Sequence, residues 1–265
     1  MKEKRIWDSG IHSWEDLRTT DRYGSPGHRT MHLAQLIDRS FEELEKNNPK
    51  FFAELLPSNQ QWRMFPSFRS SLAYLDIETT GLGFGESITT IALYDGRSLF
   101  HYVNGHNLDD FKRRIREYDV LVTYNGKCFD VPFIEQYFAV ELNHAHIDLR
   151  YLLGSLGYSG GLKGCEKKLG ISRGELEGID GFFAVLLWDD YKRNQNDKAL
   201  ETLLAYNIED VLNLEKLLTI AYNMKLMDTP FCRSHLLESP PDRVNPFRAD
   251  ARTVRRITAR LGEIY

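Results

Sequence analysis

Three apolar runs open the middle of this chain, and the alternation downstream of them leaves few folds available. Leu72–Ile77, Ser87–Tyr94 and Ser98–Val103 read as strands, and Asp95-Gly96 is a hairpin signal between the last two. Beyond them the pattern changes. Leu108–Glu117 reads as a helix, Asp119–Tyr124 as a buried strand, Phe129–Val140 as a helix and His144–Ile147 as a short strand. Further helices lie near 162–170 and 181–193, and a long one runs from about 197 to 222. Three strands and then alternating helices and strands predict an α/β domain over residues 71–222, a mixed sheet flanked by helices.

The flanks read differently. Residues 1–70 are polar with scattered aromatics, and Ser40–Leu56 has helical character broken at Pro49, so this part is expected to be a mainly helical extension. Residues 223–265 are irregular around Pro230, Pro240, Pro241 and Pro246, then helical and arginine-rich from about 249. Cys128, Cys165 and Cys232 are odd in number and far apart, which argues against a disulfide framework or a thiolate zinc site and fits a reducing cytoplasm. No signal-peptide core comes after Met1-Lys2-Glu3-Lys4-Arg5, and the longest apolar run, Phe182 to Trp188, is too short for a bilayer. A soluble, cytoplasmic protein with no membrane partner is expected. The net charge of −4 gives no global nucleic-acid signal, although a local basic stripe is enough to attract phosphate.

Chemistry enters at the end of the first strand, in Asp76-Ile77-Glu78-Thr79-Thr80-Gly81-Leu82. Residues two apart on a strand share a face, so Asp76 and Glu78 project into one small volume. Carboxylates that close raise each other's pKa unless a cation sits between them, and oxygen clusters of this kind suit Mg²⁺ or Mn²⁺. Gly81 permits a sharp turn or a close approach. Asp130 falls in the first turn of the helix after the strand 119–124, where it either complements the helix dipole or joins a site at the strand end. Tyr206 and Asp210 are four apart on the long helix and share a face with Leu203, Leu214, Leu217 and Leu218, so that face turns inward and Asp210 needs a partner.

In order and spacing, Asp76 and Glu78 in DIETTGL, Asp130 in N-x-x-x-F-D, and Tyr206 with Asp210 in Y-x-x-x-D resemble the DEDD (DnaQ-like) superfamily of 3′–5′ exonucleases. The tyrosine marks the DEDDy branch; the histidine branch would have a histidine at position 205, where this chain has Ala205. More narrowly, YNGKCFDVPFIEQ, HIDLRYLL, LKGCEKKLGI, GIDGFFAVLLWDDY and LLAYNIEDVLNLEKLL give residues 71–222 the texture of YprB-type RNase H-like domains. The resemblance implies an RNase H-like mixed five-stranded sheet and a two-metal hydrolysis of phosphodiester bonds at single-stranded DNA or RNA 3′ ends, with two divalent cations, Mg²⁺ or Mn²⁺. Asp76 would bridge both ions, Glu78 and Asp210 would complete the water-activating site, Asp130 would hold the second ion through waters, and Tyr206 would orient the attacking water.

Other positions carry paired readings. Thr79, Thr80 and Leu82 lie where related exonucleases contact the terminal sugar and base, or form a plain strand exit. Asn125 contacts the terminal nucleotide or caps its turn; Asp148 assists the metals or N-caps the helix it opens. Lys163, in Gly160-Gly161-Leu162-Lys163-Gly164, meets phosphate or belongs to a glycine-rich turn. Arg248, Arg252, Arg255, Arg256 and Arg260 form a phosphate-tracking arm or an ordinary charged helix. Neither His144 with His146 nor His28 with His32 has the companions of a zinc site. Three competing functions are a catalytically silent nucleic-acid-binding module, an endonuclease on the same fold, and a haloacid-dehalogenase-type phosphatase. The last requires an Asp where the chain has Glu78.

Overall fold

β1 (Leu72–Thr79) is the strand around which the chain is arranged. In the computed structural model, which describes residues 2–19, 28–83 and 85–262, it is the middle strand of a five-stranded mixed sheet. β2 (Ile88–Tyr94) and β3 (Leu99–Val103) lie to one side, and β4 (Val120–Thr123) and β5 (Ala145–Asp148) to the other, giving the order β3-β2-β1-β4-β5. The β1–β2 and β2–β3 pairs are antiparallel; β1–β4 and β4–β5 are parallel. The chain therefore leaves β1 toward one edge and returns to its other side. Ligand crevices form at such a reversal, beyond the carboxyl ends of the parallel strands.

Alternation along β1 decides what each face meets. Leu72 and Tyr74 join Ala92, Tyr94 and Val122 in a core under the long helix Asp197–Leu226, with Ile208, Val211, Leu214, Leu217 and Leu218 from that helix. Ala73, Leu75 and Ile77 face the opposite core with Phe111, Ile115 and Ile134. Asp76 and Glu78 continue the first set and so point toward the long helix. The far side of that helix is covered by Gly181–Asn194 and by the C-terminal helix Ala251–Gly262, which inserts Ile257 beside Leu187, Trp188 and Leu203. A helix covered on both sides reads as apolar nearly all round.

Two expectations change in detail. Leu108–Glu117 is not one helix but a short α-turn, Phe111–Arg114, between 3₁₀ turns at Leu108–Asp110 and Ile115–Glu117. So short a segment closes its end groups with tighter turns while Leu108, Phe111 and Ile115 stay buried. Pro49 does not break a helix but begins one. His28–Glu45 ends first, Asn47 takes a left-handed conformation (φ 52°), and Pro49–Leu55 starts on the proline. The segment before β1 is also packed into the sheet domain, since Trp62, Met64, Phe65 and Phe68 belong to the core beneath the long helix.

Candidate metal centre

Asp76 and Glu78 from β1 meet Asp210 from the long helix. Each offers an oxygen, and the three oxygens lie within 4.8 Å of one another. Glu78 and Asp210 are buried, while Asp76 keeps a partly open face to solvent. A bulge between Glu78 and Thr79 shifts the β1–β2 register, so that Glu78 pairs with Thr90 and Thr79 with Ile88 before the chain enters the adjoining loop. Loss of water raises the pKa of all three acids, and for Asp76 the neighbouring Asp210, Asp130 and Glu78 raise it further. An all-oxygen donor set that repels itself fits a hard divalent cation such as Mg²⁺ or Mn²⁺; no imidazole or thiolate joins it among the described residues.

Asp130 stands beside this trio without joining it. The β1–β4 pairing ends at Tyr74 and Val122, which leaves the Ile77 amide without a strand partner. That amide donates to Asp130 Oδ1 at 3.2 Å. Burial pushes the Asp130 carboxyl up to about 7, with backbone hydrogen bonds opposing. Three of the four expected acids thus lie in mutual reach, and Asp130, expected to act through waters, lies beside them and accepts the Ile77 amide.

Tyr206 is buried and lies one helical turn before Asp210. Lys163 donates from Nζ to its phenol oxygen and sits 4.3 Å from the ring centroid. Burial, then Asp210, Glu78 and Asp76, drive the phenol pKa far above its ordinary value, so the phenol stays protonated. Lys163 therefore reaches into the acid cluster from the turn at Gly160 and Gly161, where both glycines have positive φ.

The remaining candidates separate. Asp148 is fully buried; it caps the helix Leu149–Gly154 through Arg150 N at 3.0 Å and accepts the amides of Asn125 (2.8 Å) and Lys127 (3.1 Å). It acts on the backbone, not within the trio. Asn125 is left-handed (φ 67°) and its side-chain oxygen accepts from Arg150. The next residue is Gly126 because a Cβ there would meet the Thr123 side chain at 2.3–2.7 Å. Thr79 Oγ1 donates to Gly81 O at 2.7 Å, and Thr80 bonds Glu86, so both hydroxyls hold the loop together. Gly81 provides close approach and not a turn, since a Cβ there would lie 3.1 Å from the Glu86 carboxylate. Leu82 is 86% exposed, at the rim of a cleft of about 260 Å³ that includes Phe129, Pro132 and Phe133.

His146 Nε2 pairs with Thr123 Oγ1 at 2.8 Å and His144 Nε2 donates to Ile115 O at 3.0 Å, while His144 Nδ1 is buried without a hydrogen-bond partner; neither ring joins the acid trio. The side chains of His28 and His32 lie outside the described residues. Of the C-terminal arginines, Arg256 is paired with Asp190, whereas Arg248, Arg252, Arg255 and Arg260 are exposed or partly so.

Two residues near the trio were not singled out in the sequence. Asn207 is fully buried, and its Nδ2 donates to Asp76 Oδ2 at 2.7 Å. Arg173, also buried, pairs with Glu166 and touches Asp210. For Asn207 a signal existed: a polar residue on an otherwise buried helix, three before Asp210. For Arg173, on an irregular segment, spacing offers nothing.

Residues 73–222 match the RNase_H superfamily, in the RNase_H_2 grouping. The uncharacterized protein YprB of Bacillus subtilis (strain 168) is 30% identical over 175 residues, covering 55% of this chain and 40% of YprB. Among solved structures, the family B DNA polymerase from the hyperthermophilic archaeon Pyrobaculum calidifontis is similar at a TM-score of 0.46 and 17% identity, over 59% of this chain and 24% of that one. The chain thus spans well under half the length of either relative. Among the described residues, no helix is long and apolar enough to cross a membrane.

Proposed function

The chain belongs to the RNase H superfamily, and from that premise we propose that it is a divalent-cation-dependent nuclease, a 3′–5′ exonuclease of the DEDDy type acting on single-stranded DNA or RNA ends. The observation that carries this reading is the mutual approach of Asp76, Glu78 and Asp210 within 4.8 Å, with Asp76 partly exposed. These three would hold Mg²⁺ or Mn²⁺ directly, with Asp130 acting from beside them. Bound divalent cations supply charge neutralisation at the attacked phosphodiester and make a water more acidic.

The chain's own groups have separable tasks. Asn207 fixes one Asp76 oxygen and leaves the other free of that bond. The Tyr206 phenol oxygen accepts from Lys163, which leaves the phenolic proton to be donated elsewhere. A phenol whose pKa is raised by burial and by the neighbouring carboxylates suits orienting a water by hydrogen bonding. Leu82 and the cleft beside Phe129 and Phe133 offer an apolar wall for a terminal base. Arg248, Arg252, Arg255 and Arg260 would track the phosphates of the strand beyond it.

The deciding experiment incubates 5′-labelled single-stranded DNA and RNA with the protein and Mn²⁺, Mg²⁺ or EDTA. The expected result is a ladder that shortens from the 3′ end, abolished by EDTA and by Asp76→Ala. One internal cut would replace the exonuclease reading with an endonuclease. Binding without any product, in either metal, would make the protein a silent module.

A further inference from the structure

Arg173 brings a fixed positive charge into contact with an acid of the cluster. Its side chain is 3% exposed, its Nε and Nη2 donate to Glu166 Oε2 and Oε1 at 2.6 and 2.7 Å, and the same Nη2 touches Asp210 Oδ1. Glu166 is held in turn by Asn213 Nδ2 at 3.1 Å. Asn213 lies on the helix of Asp210, three residues on, so the four groups close a ring from the helix through Arg173 and back. A bidentate guanidinium–carboxylate pair fixes its plane as well as its distance. Nη2 donates its hydrogen bond to Glu166 and stands in ion-pair contact with Asp210, while Nη1 is buried with no hydrogen-bond acceptor.

We propose that Arg173 is a positioning residue, a resident counter-charge on Asp210 that a divalent cation must share, and that Glu166 sets how much of that charge the cluster feels. This rests on the reading of Asp76, Glu78 and Asp210 as a cation site. The effect has a definite sign. Arg173 and a bound cation draw on the same Asp210 carboxylate, so the two compete for it. Glu166 draws the guanidinium charge toward itself and weakens the competition. Loss of the arginine charge therefore tightens cation binding, and loss of the Glu166 charge loosens it.

The test is a Mn²⁺ titration without nucleic acid, with free Mn²⁺ read from its electron paramagnetic resonance signal, beside thermal unfolding in EDTA. Arg173→Met is expected to bind Mn²⁺ about tenfold tighter than the parent protein, and Glu166→Gln, which is nearly isosteric, about tenfold weaker. Arg173→Lys keeps the charge and loses the fork, so it unfolds at a lower temperature while its Mn²⁺ affinity stays close to that of the parent. If Arg173→Met does not fold, Glu166→Gln and Arg173→Lys decide alone. A merely structural role would weaken binding in every variant, and that result, or unchanged affinity in Glu166→Gln, overturns the inference while leaving the cation site standing. A folded parent protein that takes up no Mn²⁺ overturns both together.

Discussion

Asn207 shows how much a single side chain decides at this site. Fully buried, it holds Asp76 Oδ2 at 2.7 Å and so fixes one edge of the Asp76 carboxylate. Residues that orient a metal-binding carboxylate typically matter by about 10–100-fold in affinity or rate. Asn207→Ala is therefore expected to lower kcat on a labelled oligonucleotide by about 10–100-fold, with the circular dichroism spectrum unchanged. Unaltered turnover would remove Asn207 from the site. The Asp76–Glu78 pair and the inward face of Asp210 were legible because strand and helix periodicities are local, two apart on β1 and four apart on the helix, whereas the meeting of the two elements came from the family resemblance. What the sequence left open at Asp130 was the unpaired Ile77 amide, which depends on where β4 stops. Asp148 was legible as a cap, because an Asp before a helix has a local task. Arg173 was not legible, since its partners come from two other segments and no period links them.

At the scale of elements, β5 carries a histidine whose burial couples sheet stability to pH. His146 pairs with Thr123 on β4, and burial, then Lys127 and His144, hold its pKa down to about 3 from an ordinary 6.5. Below pH 6.5 the unfolded chain takes up a proton that the folded chain refuses, so stability falls as pH drops until the folded value is reached. The limiting slope is about 1.4 kcal/mol per pH unit. Urea unfolding of the parent protein and of His146→Gln between about pH 7 and 4.5 should show a shallower loss in the variant. Equal slopes would mean that His146 titrates normally in the folded state. The strands were legible because each apolar run is short and bounded by turn residues. Leu108–Glu117 misled because its buried residues keep helical spacing, which does not distinguish an α-helix from linked 3₁₀ turns.

At the scale of the whole molecule, the basic stripe lies on the C-terminal helix and not in the acid-rich centre. That helix is docked through Ile257 and the Arg256–Asp190 pair, which leaves Arg252 and Arg255 turned to solvent. Hydrogen bonds and the ion pair with Arg256 hold the Asp190 carboxyl well below the usual carboxylate range. If a strand runs over this helix, each phosphate contact contributes about 0.7 to the slope of log affinity against log salt for single strands. Arg252→Ala with Arg255→Ala should then reduce that slope by roughly 1.4, with turnover on a dinucleotide unaffected. An unchanged slope would return the helix to an ordinary charged surface. The sequence alone left these two readings level, because exposure and docking are set by contacts with Gly181–Asn194 and the long helix.

Asn207 and Asp76 are 131 residues apart in the chain, and they meet only when the long helix settles on β1. A ribosome that has delivered Asp76, Glu78 and Asp130 has made three of the acids but no enclosure for them. If the finished protein cuts nucleic acid, its nascent form is harmless to the message being read until the closing helix has cleared the exit tunnel.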